Sequence, residues 1–240
     1  MDLISGEIIG VDKPLGWTSF DAVKRLRGAI QRRLKLRKFK VGHAGTLDPL
    51  ATGVLIICTG RATREIERLQ AGSKEYIADL RLGATTPSFD LETEIDATYP
   101  WEHITLASVE EVLPKFRGNV MQVPPVFSAV KIDGKRAYKF ARKGEEVELK
   151  AKPLEISELE VLSFEAPVLR LRIVCSKGTY IRALARDIGQ ALGSGAHLIG
   201  LRRTRVGDVE INNCLSIDDA MKKIENDPLE FPEDYKIQDK

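Results

Sequence analysis

Gly53-Val-Leu-Ile-Ile-Cys-Thr-Gly60 is an apolar run bounded by glycines. A run so short and so apolar predicts a buried strand, and whatever precedes it must lead the chain into the core. What precedes it is VGHAGTLDPLATG, residues 41–53. This stretch is predicted to be a loop that delivers the chain to the strand, and its composition is unusual for a plain turn. Asp48 stands between Leu47 and Pro49, glycines occupy 42, 45 and 53, and His43 lies five residues upstream of the aspartate. A residue before proline is biased towards extended backbone, and glycine permits positive φ or close backbone approach, so the loop can hold one carboxylate in a defined place. Two readings of Asp48 stay open: an aspartate that bonds its own turn, or a carboxylate nucleophile or general base. His43 either satisfies the loop's backbone or stacks on a base.

The flanking segments alternate between strand and helix signals. Glu7–Asp12 reads as a strand stopped by the turn Lys13-Pro-Leu-Gly16. Thr18 and Asp21 have capping-box spacing before a helix whose apolar face is Val23, Leu26 and Ile30. Tyr76–Leu82 alternates and ends at Gly83, whereas Thr85–Tyr99 is polar and reads as loop. Leu106, Val109, Val112, Leu113 and Phe116 have helical spacing, with Pro114 disturbing the last turn and Gly118 as the stop. Val123-Pro-Pro125 breaks the pattern, and Ser128–Lys152 follows as a charged, exposed arm carrying Lys131, Lys135, Arg136, Lys139, Arg142 and Lys143. Val168–Cys175 alternates arginine with aliphatics, as a strand with one buried face does. Thr179 is placed to cap a helix with Ile181, Leu184, Ile188 and Leu192 inward and Gly193 as the stop, which puts Tyr180 and Arg182 at its first turn. A last helix begins at Ser216 with Asp219 three residues on, before a polar end. Strands and helices interleave without a regular βαβ period, so the expected class is α+β.

Composition narrows the function. The 240 residues are 43% hydrophobic and 30% charged, as in ordinary globular proteins, and no apolar run reaches membrane-spanning length. Cys58, Cys175 and Cys214 are far apart and odd in number, the pattern of reduced thiols, and with no secretory h-region the cytoplasm is the expected location. No phosphate-binding glycine motif or HExxH is present and the only histidines are His43, His103 and His197, so neither a metal nor a cofactor is expected. Net charge is only +2, so affinity for a polyanion depends on where the basic residues cluster. Six of the ten residues Gln31–Lys40 are basic, with Phe39 among them, and Arg202-Arg-Thr-Arg205 adds more, which favours a polyanion-binding surface over a merely solvated face. Tyr76 and Tyr180, taken singly, read as core-edge aromatics with a wet hydroxyl ahead of site residues. Arg182 reads as a solvated helix residue, or as a cation that keeps a neighbouring carboxylate ionised.

Six stretches, VDKPLGWTS, GHAGTLDPLATGVL, KEYIADLRLG, QVPPVFSAVKIDGKRAYKFARKG, CSKGTYIRALARDIG and GAHLIGLRRTRVG, occur in that order over the first 210 residues. Together they resemble the TruB family of tRNA pseudouridine synthases, with GTLDPLATG the most specific. The resemblance implies the pseudouridine synthase fold, a mixed and largely antiparallel sheet flanked by helices. It also implies isomerisation of the T-loop uridine of tRNA, position 55, to pseudouridine without a cofactor. On it, Asp48 is the essential aspartate acting at the ribose C1′ side, Arg182 is its ion-pair partner, and Tyr76 stacks on the flipped base and is a candidate for removing the C5 proton. Tyr180 and Leu201 line the pocket, His43 packs against rearranged T-loop bases, Lys13 and Pro14 buttress the Asp48 loop, and Asp90 is carried over as a network residue. Detaching uracil and rejoining it through C5 needs one carboxylate and a pocket that retains the base and excludes water. The base must also be flipped out of a folded loop.

The expected organisation is one catalytic domain over 1–226, with 128–152 an RNA-contacting insertion, and a polar tail over 227–240. Family members often carry a C-terminal RNA-binding module of the PUA type, and this chain reads as a short form without it. A monomer binding the T arm of tRNA, with no membrane and no metal, is expected. Two alternatives compete: a tRNA-folding chaperone with a structural Asp48, and a guide-dependent or rRNA-directed synthase sharing the core.

Overall fold

A computed structural model describes residues 1–128, 130–132, 135–137, 140, 145, 147 and 149–232. The chain forms two compact units, Met1–Lys74 with Arg202–Lys240, and Glu75–Leu201.

In the first unit the apolar run becomes the strand Ala51–Thr59. It pairs antiparallel with Ile8–Lys13 and with Val41–Ala44, and Ile8–Lys13 pairs in parallel with the short strand Leu215–Ser216. Leu55 and Ile57 pack with Val23, Leu26 and Ile30 of the helix Ser19–Leu34 and with Ile217 and Ile224 of the helix Ile217–Asn226. Val54, Ile56 and Cys58 pack instead with Val206 and with Ile66 and Leu69. A strand serving two cores has no residue to spare for water, which is the physical content of the unbroken run. Full burial of one such aliphatic side chain contributes about 1.5–3 kcal/mol.

The helices Ser19–Leu34 and Ile217–Asn226 begin as their sequences spell out. Thr18 accepts a hydrogen bond from the Asp21 amide at 3.0 Å while Asp21 accepts one from the Thr18 amide at 2.9 Å, closing the capping box. Ser216 accepts from the Asp219 amide at 3.0 Å. The motif upstream of the central strand is not wholly loop. Val41–Ala44 is itself a strand, so residues 45–50 form the arch of a β-hairpin and Asp48 lies in that arch.

In the second unit, the strand Lys74–Leu82 buries Tyr76, Ala78, Leu80 and Leu82 as its alternation requires. Val168–Cys175 pairs antiparallel with Lys152–Glu165, which pairs antiparallel with Gly118–Gln122. Neither partner strand is evident in the sequence pattern. Lys152–Glu165 carries two register irregularities, near Ser157 and Leu162, that break the alternation by which a strand is read. Gly118–Gln122 buries only Gln122. The polar stretch after Gly83 is loop, closed at its base by pairing of Ala84–Thr85 with Ala97–Thr98. The helix Leu106–Val112 tightens into a 3₁₀ turn at Leu113–Phe116, where Pro114 offers no amide hydrogen.

The helix Ile181–Ala191 turns Ile181, Leu184 and Ile188 inward, and Gly193 follows at φ +68°. Thr179 does not cap it. Tyr180 occupies the cap position, and the Thr179 hydroxyl instead donates to the Ser176 carbonyl at 3.0 Å. Much of the charged stretch 128–152, including Lys139, Arg142 and Lys143, lies outside the described residues, as does 233–240 of the polar tail. Within the stretch, Lys131–Ile132 pairs antiparallel with Lys135–Arg136. None of the three cysteines is in a disulfide, and burial pushes the Cys58 and Cys214 thiols up to about 11. Among the described residues no helix is long and apolar enough to cross a membrane.

Candidate active site

Asp48 is half-buried, between exposed Thr46 and exposed Pro49 and Leu50, and its backbone neighbours are tied on both sides. Leu47, before it, is held by Ser19: the Leu47 amide donates to the Ser19 hydroxyl at 2.8 Å, and that hydroxyl donates to the Leu47 carbonyl at 3.0 Å. Pro49, after it, accepts from the Gly16 amide at 2.8 Å, and the carbonyl of Asp48 accepts from the Ala51 amide at 3.1 Å. The segment that supplies Gly16 and Ser19 is fixed in turn by Lys13, whose ammonium donates to the carbonyls of Pro14 at 2.9 Å and Trp17 at 2.6 Å. Thus VDKPLGWTS and GHAGTLDPLATG, far apart in sequence, are one hydrogen-bonded assembly around a single carboxylate.

The base of the hairpin is closed by Arg203, which is 1% exposed. Its guanidinium donates to the carbonyls of Val54 at 2.8 Å, Gly45 at 3.1 Å and Thr46 at 3.3 Å. Its backbone lies against Gly53, where φ is +106° and a Cβ would fall 2.1 Å from the Arg203 carbonyl oxygen. Gly53 is therefore required by both conformation and space. The neighbouring arginines are also engaged. Arg202 pairs with Asp12 at 2.7 Å and Arg205 donates to Ser73 at 3.1 Å, so the Arg202–Arg205 cluster is largely structural and not a free polyanion surface.

Burial pushes the ammonium of Lys13, which has no exposed surface, down to about 8; the nearby charge of Asp48 opposes that shift and the positive charge of Arg203 adds to it. His43 lies in the strand Val41–Ala44, half-buried. Burial first, and then the charge of Arg203, lower its pKa, so the ring is neutral at pH 7. The Gly45 backbone pulls weakly the other way but makes no hydrogen bond of good geometry to the buried Nδ1.

In the second unit Arg182 is 6% exposed and sits on the first turn of its helix. It donates to the carbonyls of Phe127 at 2.9 Å and Ser88 at 3.2 Å, and its Nε lies 3.5 Å from the buried carboxylate of Asp90. The loop bearing Asp90 is tightly built: Thr86 donates to the Asp90 carbonyl at 2.7 Å, Asp90 accepts from the Glu92 amide at 2.9 Å, and Phe89 adopts φ +61° under the guanidinium of Arg186. Sequence reasoning assigns Asp90 to a network around the site, and the structure brings it together with Arg182. Tyr180 is gripped by Gln122, which is 4% exposed and exchanges hydrogen bonds with both backbone groups of the tyrosine. Tyr76 lies on the buried face of its strand, 8% exposed, and Leu201 is half-buried on the strand Ala196–Val206. Among the described residues no cluster of histidine, cysteine and carboxylate side chains is placed to hold a metal ion.

Comparison with known proteins bears on these two groups of residues. Residues 31–181 match the family model described as TruB family pseudouridylate synthase (N terminal domain), and 182–230 match that of the tRNA pseudouridylate synthase B C-terminal domain. The chain belongs to the TruB family of pseudouridylate synthases. It is 65% identical to a tRNA pseudouridine synthase B of Parabacteroides distasonis over 93% of this chain and 96% of that protein. To a protein of the same name from Phocaeicola vulgatus it is 63% identical, over 96% and 98%. Among solved structures, a chain of a Cbf5-Nop10-Gar1 complex is 30% identical with a TM-score of 0.68, and one of an H/ACA RNP bound to a substrate RNA containing 2′-deoxyuridine is 28% identical with a TM-score of 0.65. Each match covers 92% of this chain, which spans only 55% and 54% of those two chains. The expected α+β pseudouridine synthase fold is thereby established.

As a TruB family member the chain has further residues in its motifs that sequence reasoning passes over: Ser19, Gln122 and the backbone-binding role of Arg203. All are buried polar side chains whose partners are main-chain groups. The one signal the sequence offers for them is a polar residue inside an otherwise buried motif. The basic segment after the first helix remains exposed at Arg37, Lys38 and Lys40, whereas Arg32 pairs with Glu225 and Arg33 reaches the Asp227 carbonyl. Phe39 packs into the helix core instead of standing among the basic residues as a stacking group.

Proposed function

We propose that this protein isomerises a uridine of tRNA to pseudouridine, at position 55 of the T arm, acting as a cytoplasmic monomer. The observation that carries the reading is the Asp48 hairpin. A single half-buried carboxylate, held through both neighbours, is what a glycosidic rearrangement without a second catalytic carboxylate requires. Relatives of near-equal length, 65% and 63% identical, bear the name tRNA pseudouridine synthase B.

In this reading Asp48 acts at the ribose as the N1–C1′ bond breaks. The uracil turns within the pocket and a C5–C1′ bond forms. The proton on C5 then leaves, and N1 gains one. Tyr76 stacks on the base and is the candidate for removing the C5 proton. Arg182 is the cation that supports Asp48, and Asp90, 3.5 Å from its Nε, helps to fix the arginine. Tyr180 and Leu201 line the pocket, and His43, neutral at pH 7, packs against T-loop bases as a planar group. Lys13 and Pro14 hold the Asp48 loop.

The test uses a T-arm transcript tritiated at uracil C5. Wild type releases tritium and Asp48→Asn does not. Tight binding by wild type without release would sink the reading in favour of an RNA chaperone with a structural Asp48.

A further inference from the structure

Of the groups that hold the Asp48 arch, Ser19 is the one that reaches the residue directly preceding the aspartate with a side chain. It is 2% exposed and starts the helix Ser19–Leu34, directly after the Thr18 cap. Its single hydroxyl accepts from the Leu47 amide and donates to the Leu47 carbonyl. Both bonds fall on one residue of the arch, so they fix the orientation of the Leu47 backbone as well as its distance. Leu47 is itself 4% exposed, so water does not readily replace the hydroxyl. The helix anchoring the serine is packed through Ala22, Val23, Leu26 and Ile30 and does not yield easily. Asp48 is one rotatable pair beyond Leu47, so a tilt of the Leu47 backbone swings the carboxylate.

We propose that Ser19 is a positioning residue for the reaction: through Leu47 it sets where the Asp48 carboxylate stands relative to the ribose. The proposal rests on Asp48 being the catalytic carboxylate of the proposed function. The hydroxyl takes no part in the chemistry. Because a misplacement near 1 Å costs about 10²-fold in rate, loss of the hydroxyl lowers the chemical step far more than it lowers RNA binding.

The experiment measures single-turnover tritium release and RNA affinity for wild type, Asp48→Asn, Ser19→Ala, Ser19→Thr and Ser19→Cys. Ser19→Ala is expected to lower the single-turnover rate about 10- to 100-fold with affinity for the T-arm transcript within about twofold of wild type, and Ser19→Thr, which keeps the hydroxyl, to recover most of the rate. Should Ser19→Ala not fold, Ser19→Cys, a near-isostere with a weak donor, is read in its place against the same thresholds. A rate equal to wild type in the Ala or Cys variant overturns the proposal, as does a loss that appears wholly in affinity or that Ser19→Thr fails to recover. If wild type itself releases no tritium, the proposed function fails. If wild type and Asp48→Asn behave as expected and only the serine variants do not, this inference alone fails.

Discussion

Gln122 and Tyr180 exchange a matched pair of hydrogen bonds: the Tyr180 amide donates to Gln122 Oε1 at 2.9 Å and Gln122 Nε2 donates to the Tyr180 carbonyl at 3.1 Å. The pair fixes the backbone of the residue from which the helix Ile181–Ala191 starts, a helix that no side chain caps locally. Gln122→Leu keeps the bulk and leaves both backbone groups without this partner, at a cost of about 1–3 kcal/mol. Urea unfolding checks that loss, and single-turnover tritium release is expected to fall with it because Tyr180 loses its fixed place. Gln122→Glu, which can accept but not donate, should lie between.

Arg203 tests the difference between a basic residue and a basic surface. Replacing it with methionine removes donors from the carbonyls of Gly45, Thr46 and Val54, of which the buried Val54 carbonyl left unpaired costs about 1–3 kcal/mol. The variant is expected to be destabilised by at least about 1–3 kcal/mol, while the slope of log Kd against log salt for RNA binding stays as in wild type. A changed slope with intact stability would mean that Arg203 meets phosphate.

The exposed segment Arg37, Lys38 and Lys40 predicts the converse. Changing all three to alanine should leave thermal unfolding nearly unmoved and reduce the salt slope by about 1 for each phosphate that these side chains neutralise. Filter binding of a T-arm transcript between low and moderate salt reads this directly. An unchanged slope removes the segment from the RNA interface.

Lys13 carries a pH signature. Its folded pKa, about 8, lies below the ordinary value of 10.5 because burial outweighs the pull of Asp48. Protonated Lys13 is therefore a penalty to the folded state that is fully present below about pH 8 and is relieved as pH rises from there towards 10.5. Lys13→Met has no such penalty. The stability of wild type relative to Lys13→Met should thus increase between pH 7 and pH 10, measured by urea unfolding at each pH, and a constant difference would contradict the assigned shift.

What can be read from the sequence is local or periodic. The capping pairs Thr18/Asp21 and Ser216/Asp219, the unbroken run that forms Ala51–Thr59, and the alternation of Tyr76–Leu82 all carry their meaning within a few residues. The Asp48 arch is visible because glycine and proline mark special backbone wherever they occur. The clamps are not visible. Ser19, Gln122 and Arg203 bond to main-chain atoms 28, 58 and 149 residues away, and a backbone carbonyl has the same identity in every residue, so nothing in the composition names the partner. Thr179 misleads for a related reason: a threonine before a helix caps only if its hydroxyl is not already committed, and here it turns back to Ser176. Lys152–Glu165 escapes notice because its irregularities reset the alternation midway.

The strand Ala51–Thr59 has an implication for how this chain can vary. Ile56 and Ile57 are adjacent but belong to opposite cores, and the arch with Asp48 is its direct N-terminal continuation. A one-residue slip of this strand against Ile8–Lys13 would exchange its two faces, sending side chains meant for the helices into the wrong core. The strand can therefore change its residues but not its register, and the point at which the arch leaves it is fixed by counting as firmly as by any bond.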